Sequence, residues 1–370
     1  MSSQSFWNRF ELHWNDRETC VRVVRDRYGG CEVEEFEEQG YCSCTLLVTP
    51  SASVFATGNT VTKTFTVVGC KERPAFIVQL RPALHALDLD IIRAASMTYP
   101  MLASIVKPLD LALPRGICAY EMEKLNGTPL SRLQPRERSL DPGASEQLKR
   151  LLISFAHLVA QSWYSPHKLN AMSRTTRADS PMDESPSMLS QCRGKVGSTI
   201  TSRLEKLAIE LPDAHLRQRA SLTLHAAQRL EDYPVALNHG DLIPSNILVD
   251  QNTWEITGLV DWAEAEYLPF GTCLYALEYL LGYLTPAIPD LPPVWTYFDG
   301  ATQLRELFWT HLIEAVPEVG ARAEDVKVIR DVGVLLWHGI AWDDGAINRV
   351  VNEVDDMEEM TKLRAFLTVG

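Results

Sequence analysis

The sequence lacks any apolar run that approaches the roughly 18 consecutive residues needed to cross a membrane as a helix. It also lacks an excess of positive charge, because 35 lysines and arginines face 48 aspartates and glutamates, for a formal net charge of −13. An acidic chain gains little from approaching a nucleic-acid backbone or an anionic membrane. We therefore expect neither nucleic acid nor a membrane as a partner, while a local basic site for a phosphate ligand remains compatible with the composition.

The N-terminal segment lacks the continuous apolar core of a signal peptide, since Trp7, Phe10 and Trp14 are scattered among charged residues. The expected location is therefore cytoplasmic. The eight cysteines are spread along the chain, and a disulfide framework is not expected in a cytoplasmic protein of this size. Cys42 and Cys44 form a C-x-C pair without a second pair, which favours two positions on one strand face over a zinc site.

The 370 residues are 46% hydrophobic and 22% charged, which is enough to bury a large core in one big domain or two lobes. The first third is rich in Val, Thr, Phe and Ile and holds one predicted helix at 87–99. Its predicted strands cover residues 41–49, 61–68, 74–81 and 117–122. The remainder begins with apolar residues at helical spacing over 145–162. This order predicts an α+β fold with an N-terminal antiparallel sheet lobe and a larger helical C-terminal lobe.

The C-terminal part also contains a predicted insertion and a predicted hairpin. Residues 172–198 are rich in Ser, Arg, Asp, Met and Pro, which predicts a mobile surface insertion. Short strands are predicted at 246–249 and 256–260, joined by turn-forming residues. Further helices are predicted over residues 204–230, 274–286, 302–316 and 323–342.

Most of the chemical information lies in two segments, HGDLIPSN at residues 239–246 and GLVDW at residues 258–262. Phosphoryl transfer from ATP needs a carboxylate that orients the attacking hydroxyl and oxygen ligands that hold Mg²⁺ against the phosphates. Asp241 on a tight loop can supply the first. Asn246 and Asp261, at neighbouring strand ends, can supply the second.

The pattern H-G-D-x-x-x-x-N followed by V-D-W resembles the catalytic and metal-binding loops of aminoglycoside phosphotransferases and choline kinases, which share the protein-kinase-like fold. The resemblance implies that Asp241 is the catalytic aspartate and that His239 supports its loop. It implies that Asn246 and Asp261 bind Mg²⁺, with ATP as the second cofactor. Trp262 stands where protein kinases have Phe, which favours the small-molecule branch.

The resemblance covers roughly residues 30 to 345 and implies a division of the chain. Residues 1–30 would be an N-terminal extension and residues 31–122 the lobe whose sheet covers the nucleotide. Residues 123–127 would be the hinge, and residues 128–370 the C-terminal lobe with the catalytic loops.

The resemblance also implies which residues contact the nucleotide phosphates. Ser43 follows the position of the family's phosphate-covering hairpin, although an ordinary turn is an equal alternative. The family places Lys or Arg on the third strand, where this chain has Gln79. A shift of two residues puts Arg81 there, on the same strand face. We favour Arg81, because its full charge can neutralise phosphate. Asp88 and Asp90 are either its ion-pair partners or solvated acids at a helix N-terminus.

Residues 119–127 resemble the family's strand and link between lobes. Adenine would then pair with the backbone of Glu123 and Leu125, beside Met122. Backbone pairing constrains side-chain identity little, so the residue types neither support nor oppose this assignment.

A second departure from the family follows Asp261, because the acid that usually anchors the catalytic loop is absent from the run PFGTCLY at residues 269–275. Tyr275 and Glu278 are the candidates to replace it. This form of the segment resembles a divergent branch common in fungal genomes.

Two main functions follow from these residues. The first is an ATP-dependent phosphotransferase that acts on a hydroxyl of a small molecule, favoured by Asp241, Asn246 and Asp261 together. The alternative is a catalytically impaired kinase-like protein that binds a metabolite or a protein partner through the same cleft, favoured by Gln79 and the missing anchor acid. A third, minor reading is different chemistry in that cleft on a biosynthetic intermediate.

The sequence identifies neither the acceptor nor the oligomeric state. An aminoglycoside, an amino alcohol, a sugar or a secondary metabolite are all compatible with it. Several aromatic residues are candidates for an acceptor pocket or, alternatively, for the core: Tyr279, Tyr283, Trp309, Trp337 and Trp342.

Overall fold

The computed structural model describes residues 6–7, 10, 14–37, 39–50, 74–114, 116–164, 188–289, 291–343 and 346–368. The chain divides into two compact units. The first comprises Met1–Ser96 and Ser104–Leu125, and the second comprises Met97–Ala103 and Asn126–Gly370.

The first unit is built on a five-stranded antiparallel sheet with the strand order β1-β2-β3-β5-β4. The strands are β1 (Cys31–Glu35), β2 (Cys44–Pro50), β3 (Phe76–Pro82), β4 (Val106–Leu109) and β5 (Ile117–Glu123). Helix α1 (Trp14–Arg27) precedes the sheet, and helix α2 (Leu89–Thr98) lies between β3 and β4 in the chain.

Alternation along β3 decides which side chains enter the core of this unit. Val78 and Leu80 are buried in one hydrophobic cluster with Cys20 and Val24 of α1. Because successive strand residues point to opposite faces, Gln79 and its neighbours at even spacing lie on the other face of the sheet. The face of β3 predicted to approach the phosphates is therefore the face that α1 does not cover.

The second unit is mainly helical. Its helices are α3 (Pro142–Trp163), α4 (Met188–Gln191), α5 (Ile200–Glu210), α6 (Ala214–Gln228), α7 (Tyr275–Leu280), α8 (Ala301–Ala315), α9 (Pro317–Ala321), α10 (Ala323–Gly339) and α11 (Met357–Leu367). Its strands are β6 (Thr128–Pro129), β7 (Val235–Asn238), β8 (Ile247–Val249), β9 (Ile256–Leu259), β10 (Glu266–Pro269), β11 (Gly282–Thr285), β12 (Val294–Tyr297), β13 (Ile340–Asp343) and β14 (Ala346–Val350). Strands β6, β8 and β9 form one sheet, and β7–β10, β11–β12 and β13–β14 are antiparallel pairs.

Local sequence signals explain where these helices begin and end. The Asp141 side chain accepts a hydrogen bond of 2.9 Å from the Ala144 N–H and so caps the start of α3. Asp213 caps α6 in the same way, through the N–H groups of His215 and Leu216. Because Pro212 and this cap interrupt the helical pattern, the single helix predicted over 204–230 is two helices, α5 and α6.

The predicted fold class, an N-terminal antiparallel sheet followed by a larger helical region, is confirmed. The strand predicted at 61–68 lies outside the described residues. Among the described elements, β1 forms where no strand was predicted. The helix predicted over 274–286 ends at Leu280, because the chain continues into β11 and pairs with β12.

The predicted mobile insertion is only partly described. Residues 172–187 lie outside the described residues. Residues 188–198 differ from the prediction, because Met188, Leu189 and Cys192 are buried. The Glu266 carboxylate also accepts hydrogen bonds from the Val196 and Gly197 N–H groups, at 3.0 Å and 2.7 Å. This stretch is therefore packed against β10.

None of the helices in the described ranges is long and apolar enough to span a membrane. Among the described cysteines, Cys31 is disulfide-bonded, although no disulfide framework was expected from the sequence. Neither Cys42 nor Cys44 is in a disulfide, and Cys42 precedes β2, so the pair is not on one strand face.

Candidate active site

The loop after β7 is held by His239, which is buried (2% exposed). Its Nε2 donates a hydrogen bond of 2.9 Å to the Val260 carbonyl, and its Nδ1 accepts one of 3.3 Å from the Asp241 N–H. A carbonyl only accepts and an N–H only donates, so these partners require the neutral ring with its proton on Nε2. Burial agrees with this state, since it lowers the pKa of His239 to about 4. His239 thus ties the Asp241 loop to the end of β9.

Gly240 has a positive φ of 77° and lies directly against the backbone of Glu264. A Cβ at this position would be 1.8 Å from the Glu264 carbonyl oxygen. Only glycine fits such an approach, so the middle residue of the HGD segment is required for packing. The glycine between His239 and Asp241 is the sequence signal for this contact.

Asn246 fixes the Asp241 carboxylate. Its Nδ2 donates to both the carbonyl oxygen and the carboxylate Oδ2 of Asp241, each at 2.9 Å. Because the NH₂ group faces these acceptors, the amide oxygen points away, and it makes no hydrogen bond to any described residue. Asp241 is partly exposed, and burial together with the charge of Asp261 raises its pKa to about 7.

The β8–β9 hairpin places Asp261 beside this loop. The Val260 N–H donates to the Asn246 carbonyl at 3.0 Å, so the residue before Asp261 is bonded to the predicted metal ligand. Asp261 is exposed and adopts the left-handed conformation, with φ 61° and ψ 64°. Trp262 is buried next to it, with its ring centroid 4.5 Å from that of His239. The structure therefore brings His239, Asp241, Asn246 and Asp261 together.

The oxygen donors of Asn246 and Asp261 suit Mg²⁺, which prefers carboxylate and amide oxygens. Within the described ranges, no group of three or more His, Cys, Asp or Glu side chains is arranged to hold a metal. A magnesium ion at this site would therefore take its remaining ligands from nucleotide phosphates and water, as is usual for this metal.

The two candidates for the missing anchor acid behave differently. The Tyr275 hydroxyl accepts a hydrogen bond of 2.9 Å from the N–H of Leu242, the residue after Asp241. Glu278 is fully buried, but its carboxylate pairs with Arg305 at 2.7 Å and Arg330 at 3.3 Å. The sequence alone could not show which of Tyr275 and Glu278 contacts the catalytic loop, because both lie in the short helix α7.

The predicted phosphate-binding residues of β3 contact each other. Arg81 is buried (5% exposed), and its Nη1 donates to Gln79 Oε1 at 2.9 Å while its Nε donates to the His85 carbonyl at 2.8 Å. Neither Asp88 nor Asp90 is among its described partners. Asp88 accepts from the N–H groups at the start of α2, and Asp90 pairs with Arg93 at 2.8 Å.

A guanidinium only donates, so the Gln79 amide oxygen must face Arg81 and the amide NH₂ must point away. Gln79 is half-buried, and its NH₂ makes no hydrogen bond to a described residue. Of the two residues, Gln79 therefore has the polar group that is open to a ligand. This is the reverse of the preference for Arg81 drawn from charge alone.

The remaining nucleotide contacts predicted in the first unit are engaged within it. Ser43 is buried (5% exposed) just before β2. The carbonyl of Glu123 accepts from the Ser104 hydroxyl at 2.9 Å, and its N–H donates to the Ile105 carbonyl at 3.4 Å. Met122 pairs within the sheet. Of the two residues predicted to pair with adenine, Leu125 is the one whose backbone makes no hydrogen bond within the described ranges.

The aromatic residues proposed for an acceptor pocket do not form one cluster. Trp337 stacks in parallel on Tyr275, with centroids 5.0 Å apart and an interplanar angle of 6°. Tyr279 packs edge-on against Phe366 at 5.4 Å, Trp309 packs against its neighbour Phe308, and Trp342 is 47% exposed. Of the three tryptophans proposed for an acceptor pocket, Trp337 is the one whose ring partner, Tyr275, is hydrogen-bonded to the catalytic loop.

Comparison with known proteins gives the following results. No curated protein is significantly similar in sequence. Similar solved structures include a type VIII aminoglycoside-3'-phosphotransferase (16% identity, 96% of this chain and 100% of the other, TM-score 0.41). A putative aminoglycoside phosphotransferase from Ralstonia eutropha is 11% identical, with 95% of this chain and 98% of the other covered and a TM-score of 0.47. A macrolide 2'-phosphotransferase from Brachybacterium faecium is 15% identical, with 87% of this chain and 92% of the other covered and a TM-score of 0.42. The sequence model of the phosphotransferase enzyme family matches residues 63–272, more than half of the 370 residues, and includes the whole Asp241–Asp261 region. The chain belongs to the phosphotransferase enzyme family.

Proposed function

We propose that the protein is an ATP-dependent phosphotransferase that acts on a hydroxyl group of a small molecule. The observation that carries this proposal is the Asp241 carboxylate, held at 2.9 Å by the Asn246 amide beside Asp261 in a chain of the phosphotransferase family. A binding protein has no physical need for an oriented carboxylate and a second acid on adjoining loops.

In this proposal Asp241 accepts a hydrogen bond from the acceptor hydroxyl and so orients its oxygen for attack on the γ-phosphate. The transition state of phosphoryl transfer is loose, so the carboxylate mainly positions the hydroxyl and takes its proton late. The neutral His239 holds the loop without adding a charge beside the phosphates.

Asn246, through its amide oxygen, and Asp261, through its carboxylate, would hold Mg²⁺. A bound Mg²⁺ neutralises charge on the phosphate oxygens during transfer. Because the backbone of Asp261 is left-handed, its side chain points in a different direction from the side chains of the preceding strand β9. This separates the proposed metal ligand from the buried side chain of Trp262.

For the nucleotide, we propose that the Gln79 NH₂ donates to a phosphate oxygen and that Arg81 positions Gln79 from behind. The backbone of Leu125 would pair with adenine. Ser43 would contribute only if its loop changes conformation, since its side chain is buried.

The alternative is a kinase-like protein that binds a metabolite or a protein partner and transfers no phosphate. It is favoured by one observation, the engagement of the Arg81 guanidinium with Gln79 and His85, which leaves β3 without an open cation for the phosphates.

The two functions are separated by calorimetric titration of the full chain with ATP in the presence of Mg²⁺, followed by a screen of hydroxyl-bearing acceptors. The proposed function predicts Mg²⁺-dependent binding, and turnover that falls roughly 10²–10⁴-fold in Asp241→Asn with ATP affinity nearly unchanged. Absence of Mg²⁺-ATP binding at millimolar concentration would refute it in favour of the binding protein.

A further inference from the structure

A buried side chain of helix α7, that of Tyr275, is hydrogen-bonded to the catalytic loop. Tyr275 is 2% exposed, and its hydroxyl oxygen accepts the Leu242 N–H at 2.9 Å. Leu242 is itself buried and follows Asp241 directly. Its amide therefore has no access to water and depends on this hydroxyl for a partner.

The Tyr275 ring is packed against two aromatic side chains of helix α10. The Trp337 ring of α10 lies parallel to it at 5.0 Å, and the fully buried His338 ring meets it edge-on at 6.2 Å. His338 is in turn bonded to Glu359 of α11 at 2.6 Å. Rings from α10 thus pack against the tyrosine ring and support the position from which its hydroxyl accepts the hydrogen bond.

Glu278, the other candidate on α7, does not bond to the loop, because its carboxylate has other partners. The Glu278 carboxylate is occupied by Arg305, by Arg330 and by the Tyr297 hydroxyl at 3.0 Å. Tyr275 also stays uncharged, because burial raises its pKa well above the ordinary value. It holds the loop without placing a further negative charge beside Asp241 and Asp261.

We propose that Tyr275 is a positioning residue for phosphoryl transfer: its hydroxyl fixes the Leu242 backbone and thereby the direction of the Asp241 carboxylate. The catalytic consequence rests on the proposed function, whereas the effect on the loop does not. Because small displacements of a catalytic group reduce turnover strongly, loss of this bond should act on kcat more than on KM.

The test compares Tyr275→Phe with a matched control in the same unit. Tyr275→Phe keeps the ring stacked on Trp337 and removes only the hydroxyl. Tyr233→Phe also removes a buried hydroxyl that makes one backbone hydrogen bond, here to the Phe270 carbonyl at 2.8 Å. Both variants should lose Tm to a similar extent, which controls for stability.

We expect Tyr275→Phe to lower kcat by about 10–100-fold with KM for ATP nearly unchanged, and Tyr233→Phe to keep kcat close to that of the unmodified protein. Hydrogen exchange provides a readout that needs no catalysis. The Leu242 amide should exchange faster in Tyr275→Phe and not in Tyr233→Phe.

Equal kcat in the two variants, or unchanged exchange at Leu242 in Tyr275→Phe, would overturn the proposal. If the unmodified protein shows no turnover, the proposed function fails, and the exchange measurement alone decides whether Tyr275 holds the loop. Should Tyr275→Phe not fold, Trp337→Leu removes the stacked ring at a half-buried position, and the same faster exchange at Leu242 is expected.

Discussion

The Arg81 guanidinium donates a hydrogen bond of 2.9 Å to the side-chain oxygen of Gln79, two residues earlier on the same face of β3. The cation is buried and the neutral amide is half-buried in front of it. Arg81 and Gln79, the two candidates for the phosphate contact, are therefore bonded to each other.

This relationship predicts the effect of Gln79→Glu. The new carboxylate can still pair with Arg81, so the free energy of unfolding should not fall. It removes the amide donor and puts a negative charge toward the phosphates, so the Kd for Mg²⁺-ATP should rise roughly 10–100-fold. Calorimetric titration measures the change, with Gln303→Glu on exposed α8 as the control. Equal Kd values in both variants would show that Gln79 does not face the nucleotide.

The contact between Gly240 and Glu264 predicts a severe effect of Gly240→Ala. A methyl group would lie 1.8 Å from the Glu264 carbonyl oxygen, at a backbone φ of 77°. Overpacking and the left-handed strain together should lower the free energy of unfolding by roughly 2–5 kcal/mol. Urea denaturation is the measurement. The control is Gly300→Ala, where no atom lies within 4 Å of the added Cβ and a cost below about 1 kcal/mol is expected.

The placement of Asp261 predicts a specific loss of metal dependence. Asp261→Asn should weaken nucleotide binding in the presence of Mg²⁺ by at least about tenfold, because a charged metal ligand is lost. Binding measured in EDTA should change little, since the phosphates then no longer contact this residue through a metal. Asp110→Asn, at an exposed acid outside the site, is the control. A loss of the same size with and without Mg²⁺ would contradict the metal role.

The hydrogen-bonded pair of the buried His338 and the half-buried Glu359 predicts lower stability in acid. Burial lowers the pKa of His338, and the charge of Lys362 lowers it further. The hydrogen bond to Glu359 raises this pKa but does not outweigh burial. Burial opposes ionisation of Glu359, but the hydrogen bond from His338 and the charge of Lys362 outweigh it and lower its pKa to about 2. Both groups bind protons more readily in the unfolded chain than in the folded protein. Each group's contribution to the free energy of unfolding is therefore complete above its unfolded pKa and is lost as the pH falls toward its folded pKa.

The free energy of unfolding should therefore decrease from about pH 6.5 downward as His338 titrates, and further below about pH 4.5 as Glu359 does. His338→Asn retains a donor near the Nδ1 position and removes the first of these two losses. Urea denaturation between neutral pH and pH 5 should show a flatter profile for His338→Asn, whereas His215→Asn, at an exposed position, should keep the original slope. Parallel profiles in all three proteins would contradict this assignment.

Much of the architecture was predictable from the order of local patterns. Alternating residues around Val78 predict a strand with one buried face, and the spacing of Leu148, Leu151, Leu152 and Phe155 predicts α3. These signals depend on residues close together in the chain. Elements that depend on pairing with another strand were missed: β1 pairs with β2, and β11 pairs with β12.

By itself, the sequence determined the fold class and the set of polar residues around Asp241. These residues have a fixed spacing on one loop and one hairpin, and this spacing restricts where their side chains can lie. Tertiary structure alone showed which of Gln79 and Arg81 keeps an open polar group and which of Tyr275 and Glu278 is bonded to the loop. Each pair shares one strand face or one short helix, so periodicity cannot separate its members. The choice depends on which partner comes close in space: the His85 carbonyl for Arg81, the Leu242 amide for Tyr275, and two arginines for Glu278.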